Sequence, residues 1–104
     1  MAYYYAKKRN RDVSKYWNQK ALKAFGAFDE EVFKPRKLDV KTKELCAVAA
    51  TYITRCPYCI EAHAKRAMAA GATKEELAEV IAVAAALNAG ASMAHMNFAL
   101  EAGD

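Results

Sequence analysis

Arg55-Cys56-Pro57-Tyr58-Cys59-Ile60-Glu61-Ala62-His63 leads into Ala64-Lys65-Arg66-Ala67-Met68-Ala69-Ala70, and Gly71-Ala72-Thr73-Lys74-Glu75-Glu76 closes the stretch. It contains a helix start, a helix stop and a second start. Pro57 suits the first helical position, where its missing N–H costs nothing. Gly71 suits the turn just past a helix end. Thr73 and Glu76 have the spacing of a capping box, so the next helix begins near Lys74. The helix between these signals spans about residues 57–70.

Working outward gives more helices. Asp39 is a good N-cap for a helix over about residues 40–54, with Leu45, Val48, Ala49, Tyr52 and Ile53 among its apolar positions. A break follows at Arg55-Cys56. Upstream, Tyr16, Trp17, Lys20 and Lys23 recur at helical steps and predict a first helix over residues 13–25. Gly26 reads as its stop, and residues 28–33 as a further short turn ended by Pro35. Downstream, the helix from Lys74 reaches about Leu87, Asn88-Ala89-Gly90 reads as a kink or break, and a last helix covers residues 92–101. The expectation is an all-α bundle of about five to six helices, one domain over residues 1–104 that begins with a loose basic arm over residues 1–12.

Composition agrees. Among 104 residues, 24 are alanine and only 4 are glycine and 2 proline, too few turn formers for a β-sandwich or barrel. Apolar content is too high for a disordered chain. An alanine-rich core is thin, so a chain this short gains from assembling with copies of itself. Charge is split: residues 1–43 hold 12 Lys and Arg against 5 Asp and Glu, a net +7, and residues 44–104 hold 4 against 7, a net −3. The start carries no secretory pattern, so a cytoplasmic location is expected. Residues 80–100 contain no Asp, Glu, Lys or Arg, a length that could span a bilayer. Asn88, Gly90, Ser92, His95 and Asn97 make it read instead as a helix buried against protein.

Four residues could carry chemistry. Cys56 and Cys59 form a CxxC at a helix start. There backbone N–H groups and the helix dipole favour a thiolate. His63 follows Cys59 by four residues on the same helical face, where imidazole and thiol can touch. Glu44 lies on the preceding helix. In an antiparallel pair its axial offset from His63 is about 6 Å, at roughly 1.5 Å per residue, within reach through one water. A Glu44–water–His63–thiol relay is therefore allowed. Each residue also has a plainer reading: His63 as a packed histidine, Glu44 as a solvated helix residue, Cys46 as an inert buried thiol, His95 as a hydrogen-bonded core or interface residue. Cys56, Cys59 and His63, with His95 or Cys46, could instead hold a structural zinc.

These residues give a resemblance. Leu38-Asp39, Lys43-Glu44-Leu45, Cys56-Pro57-Tyr58-Cys59, His63, Gly71-Ala72-Thr73 and Glu75-Glu76 resemble the carboxymuconolactone decarboxylase superfamily in its alkyl hydroperoxidase D-like (AhpD-like) branch, over residues 38–100. The spacing Glu-x11-Cys-x2-Cys-x3-His is that branch's signature. The resemblance implies an all-helical homotrimer or homohexamer whose redox dithiol, Cys56 and Cys59, reduces hydroperoxides or partner disulfides. It implies that Glu44 and His63 relay protons, and that no bound cofactor is used. Electrons come from an external thiol or lipoyl donor, with a lipoyl-protein or a peroxiredoxin as possible partner. This chain departs from the best-known member, which has two similar halves and a histidine where Tyr58 stands. The true lactone decarboxylases share the fold and lack the CxxC.

Three function classes follow. A thiol oxidoreductase uses both cysteines; Cys56 is nearer the helix end and Cys59 is in register with His63, so either could attack first. A lactone decarboxylase would use Glu44 or His63 as acid or base. A non-enzymatic module would be stapled by zinc or would bind nucleic acid through the basic arm; the arm reads more simply as packing between subunits.

Overall fold

A computed structural model describes residues 13–104, and among them there is no strand. The basic arm expected over residues 1–12 lies outside the described residues. A single 3₁₀ turn, Ser14–Tyr16, precedes five helices: α1 (Gln19–Phe33), α2 (Val40–Thr54), α3 (Pro57–Ala69), α4 (Lys74–Ala94) and α5 (Met96–Leu100). The expected all-α fold is observed.

The centre of the molecule follows the local signals closely. Asp39 caps α2 by accepting the Thr42 N–H at 2.8 Å, and the Thr42 hydroxyl together with that N–H holds its carboxyl below its ordinary value. Arg55 ends α2 in the left-handed conformation (φ 62°), its N–H donating to the Thr51 carbonyl at 2.8 Å. That single turned residue lets α3 double back at once, with Cys56 as its N-cap and Pro57 first inside. α3 ends at Gly71 (φ 105°), where the Ala72 N–H reaches back to the Ala67 carbonyl at 2.9 Å in a Schellman closure. The capping box is complete: the Glu76 N–H donates to Thr73 Oγ1 at 3.0 Å, and the Thr73 N–H to Glu76 Oε1 at 2.9 Å. Lys41 Nζ pairs with Glu76 Oε2 at 2.8 Å, tying the start of α2 to the start of α4.

The core is small. Val48, Ala67 and Ala72 form its buried centre, with Leu45, Tyr52, Ala64, Leu77, Val80 and Ile81 packed around them. These residues come from α2, α3, α4 and the α3–α4 turn, at three- and four-residue steps along each helix. Alanines at the α2–α3 contact let the two backbones approach closely.

The ends of the chain differ from expectation. α1 begins at Gln19 rather than near residue 13, because the Asn18 side chain accepts the Ala21 N–H at 3.1 Å and fixes the start there. It then runs unbroken through Gly26 to Phe33. A glycine costs a helix about 1 kcal/mol relative to alanine but does not stop it without a turn to follow. Likewise α4 continues through Asn88-Ala89-Gly90 to Ala94, and α5 begins only at Met96. Asn88 is turned inward, its side-chain amide 3.4 Å from the Tyr52 carbonyl.

The uncharged segment was expected to be buried, but this chain alone does not bury it. Lys74–Leu100 is long and apolar enough to cross a membrane, with a mean hydropathy of 1.6, and 6% of that window is buried. Leu87, Met93, Met96, Phe98 and Leu100 are all exposed.

Candidate functional site

The helix start at Cys56 polarises the two thiols. Cys56 takes an extended conformation as N-cap, and its Sγ accepts the Cys59 N–H at 3.3 Å. A hydrogen bond from the Cys59 thiol, the Cys59 backbone N–H and the Tyr58 backbone N–H together hold the Cys56 thiol below the ordinary cysteine value. Cys59 moves the other way. Its proton is engaged by Cys56, burial disfavours its charge, and the neighbouring thiolate repels a second one. One sulfur is thus the favoured thiolate and the other the favoured thiol. Both are half-buried and all three cysteines are free.

Glu44 and His63 meet across the α2–α3 pair. Glu44 is buried on the core face of α2, and its Oε1 lies 2.7 Å from His63 Nδ1. The expected bridging water is not needed, since the close packing of α2 on α3 brings the side chains into direct contact. A carboxylate at this place calls for a hydrogen on Nδ1 to donate, which leaves Nε2 for other partners. Among the described residues no hydrogen bond joins His63 to either sulfur. On α3, His63 follows Cys59 by one helical turn and Cys56 by about two, and Glu44 meets it from α2.

Two further residues complete the surroundings. The Phe33 ring stacks on the His63 imidazole, with centroids 5.2 Å apart and planes at 24°. Lys43 Nζ donates to the carbonyls of Val32 and Lys34 at 2.7 and 2.6 Å, holding the end of α1 against α2. The sequence reading passed over both. The available signals were weak: an aromatic residue just before the Lys34-Pro35 break, and a lysine beside Glu44.

Other candidates fall away from this place. Cys46 is exposed, not buried, because it sits on the solvent side of α2. His95 is also exposed, its Nδ1 2.9 Å from the Ala91 carbonyl. Among the described residues, no three His, Cys, Asp or Glu side chains form a group that could hold a metal ion.

The profile of the carboxymuconolactone decarboxylase family matches residues 19–102, from the start of α1 past the end of α5. The chain belongs to the carboxymuconolactone decarboxylase family. A crystal structure of a Methanobacterium thermoautotrophicum protein superposes on it with a TM-score of 0.71 at 38% identity, covering 77% of this chain and 92% of the other. A second crystal structure, of a Thermotoga maritima member of the family for which an antioxidative role has been suggested, gives 0.66 at 34% identity, covering 82% and 88%. An uncharacterised protein encoded in the cox locus of Paracoccus denitrificans is 51% identical over 77 residues, 74% of this chain and 69% of its own length. An uncharacterised Haemophilus influenzae protein is 44% identical over 48 residues, and the match spans 42% of that protein.

Proposed function

We propose that this family member is a dithiol oxidoreductase of the alkyl hydroperoxidase D type, reducing small hydroperoxides or disulfides with Cys56 and Cys59. The observation that carries the reading is the polarised thiol pair at the start of α3, with Cys59 one turn from the half-buried His63 that contacts the buried Glu44.

Cys56 is the attacking sulfur in this scheme. The Cys56 thiol passes its proton to His63 Nε2, directly or through a water; the thiolate bonds to the terminal oxygen of the hydroperoxide, the O–O bond breaks, and the leaving alkoxide takes that proton back from the His63 imidazolium to become the alcohol. Cys56 is then a sulfenic acid. His63 takes the Cys59 proton at Nε2, directly or through a water, while Glu44 stabilises the charged ring. The Cys59 thiolate bonds to the Cys56 sulfur and expels hydroxide, which leaves as water with that proton. The dithiol loses two electrons and the O–O bond gains them. An external thiol or lipoyl donor returns the electrons, so the working location is a reducing compartment such as the cytoplasm. A lipoyl-protein or peroxiredoxin is the partner class this wiring calls for, and the apolar surface left on α1, α4 and α5 supports a homotrimer or homohexamer.

An intact-mass thiol count tests the reading. Reduced protein is treated with a slight excess of organic hydroperoxide, quenched with an alkylating agent and weighed. Loss of two alkylatable thiols, mapped to Cys56 and Cys59 with Cys46 still free, is the expected result. Three free thiols after exposure to both a hydroperoxide and a small disulfide would remove the proposal.

The direct Glu44–His63 contact favours one second reading, lactone decarboxylation by acid–base chemistry alone. It requires that a Cys56→Ser, Cys59→Ser double variant keep full turnover of a lactone substrate.

A further inference from the structure

We propose that Phe33 is a positioning residue for the His63 imidazole and that Lys43 is the clamp that holds Phe33 in place; this rests on the reading of Glu44 and His63 as the proton-handling pair. The argument begins with how little else fixes α1. Along Gln19–Phe33 only Leu22, Asp29 and Phe33 are half-buried and the rest are exposed, one narrow stripe at seven- and four-residue steps. Phe33 is the last helical residue, where chain ends ordinarily fray and the final carbonyls lack partners. Here two carbonyls flanking Phe33, those of Val32 and Lys34, both accept from Lys43 Nζ. A cation at that end also complements the helix dipole.

Lys43 and Glu44 are consecutive on α2, so one turn of one helix does both jobs. Lys43 fixes the end of α1, and Glu44 fixes the edge of the imidazole. A single hydrogen bond at Nδ1 leaves the ring free to rock about that contact. The Phe33 ring over one face restricts that rocking, in a geometry typical of stacked aromatic pairs. With edge and face both held, Nε2 points in one direction. Phe33 also lines a groove of about 480 Å³ with Asp29, Glu30, Lys34 and Arg66 in its walls; His63 does not line it. Phe33 therefore borders both that groove and the imidazole. The groups that face His63 are Glu44 from α2 and Phe33 from α1, with Cys59 and Arg66 a turn away on α3 itself.

The test reads the ring directly. The chain has two histidines, so side-chain nitrogen shifts of labelled, reduced full-length protein can be assigned with a His63→Gln control. Wild-type protein should show mainly the Nδ1–H tautomer at His63. Phe33→Ala should lower the ratio of Nδ1–H to Nε2–H by roughly two- to tenfold, the scale of a lost aromatic stack. Lys43→Met should shift it the same way, and Phe33→Tyr should restore the wild-type ratio. Hydroperoxide-driven disulfide formation should slow by a similar factor in Phe33→Ala, through kcat and not KM. Circular dichroism checks the fold, and if Phe33→Ala does not fold, Phe33→Leu and Lys43→Met make the same comparison. Unchanged His63 shifts in the folded Phe33 variant overturn the proposal, and unchanged shifts in Lys43→Met overturn the clamp. If wild-type protein reduces neither hydroperoxides nor disulfides while the shifts move as expected, the dithiol reading fails and the positioning stands.

Discussion

Glu44 Oε1 lies 2.7 Å from His63 Nδ1, a contact between a buried carboxylate on α2 and a half-buried imidazole on α3. Its two halves are not equivalent. Glu44→Gln keeps an oxygen that accepts Nδ1–H and removes a buried charge, so it should cost about 1–2 kcal/mol. His63→Ala strands the carboxylate without its partner; because the imidazole is only half-buried, the loss should fall below the roughly 3–5 kcal/mol of a fully buried pair. The double variant should cost clearly less than the sum, because no charge is left to strand. Urea unfolding at one fixed protomer concentration measures all three. Strictly additive costs would show that the pair is not coupled in solution.

The thiols should titrate apart. Cys56 is held low by the Cys59 thiol and by two backbone N–H groups, and Cys59 is held high by the same hydrogen bond. A lowered folded value means that the Cys56 contribution to stability is present above the unfolded thiol's value and is lost as pH falls through the lower folded one. For Cys59 the contribution is present below the unfolded value and is lost as pH rises through the raised one. Pulse alkylation across about pH 6 to 9, around an ordinary thiol near 8.5, should label Cys56 before Cys59 at every step. Labelling in the reverse order would assign the attack to Cys59.

What the sequence made legible was local. Asp39, Pro57, Gly71 and the Thr73–Glu76 box each act within four residues, and the helices they bound lie where expected. The dithiol was legible for the same reason, since an N-cap and its N3 N–H are three residues apart. The Phe33–His63 stack was not, because it depends on how α1 docks, and that docking is set by Lys43 across nine to eleven residues. Glu44 and His63 were legible as a pair but not in their distance, which the small alanine side chains between α2 and α3 decide. Cys46 was misplaced because apolar neighbours in sequence do not say which side of a helix faces the core.

Two glycine positions, Gly26 misread as a helix stop and Gly71 read correctly as one, make a prediction about backbone. Gly26 sits inside α1, its φ is not positive, and a Cβ there would meet nothing within 4 Å. Gly26→Ala should therefore stabilise the protein by about 0.4–1 kcal/mol, through a less flexible unfolded chain. Gly71 also has open space, but at φ 105° a side chain is strained. Gly71→Ala should destabilise by on the order of 1–3 kcal/mol. Thermal melts of the two variants should move in opposite directions. A loss of stability in Gly26→Ala would mean that α1 is not continuous through that residue.

The last prediction concerns what covers the apolar surface. Among the described residues only Glu44, Val48, Thr51, Ala67, Ala72 and Ala84 are buried, a small core for a chain of this length. Phe25, Phe28 and Val32 form an exposed stripe on α1, and Met93, Met96, Phe98 and Leu100 are exposed at the far end of α4 and on α5. Apolar area on this scale exceeds what a stable monomer ordinarily shows to water. The surface lacks charge from residue 80 to 100, which suits contact with another copy of itself better than contact with a strongly charged partner. Light scattering at micromolar concentration should therefore give a mass near three or six times 11.5 kDa. Phe28→Lys or Phe98→Lys should lower that mass and lower the melting temperature with it, since assembly and stability are linked by mass action. A monomer mass with an unchanged melt in both variants would show that these faces stay in water, and the thin core alone would then have to account for the fold.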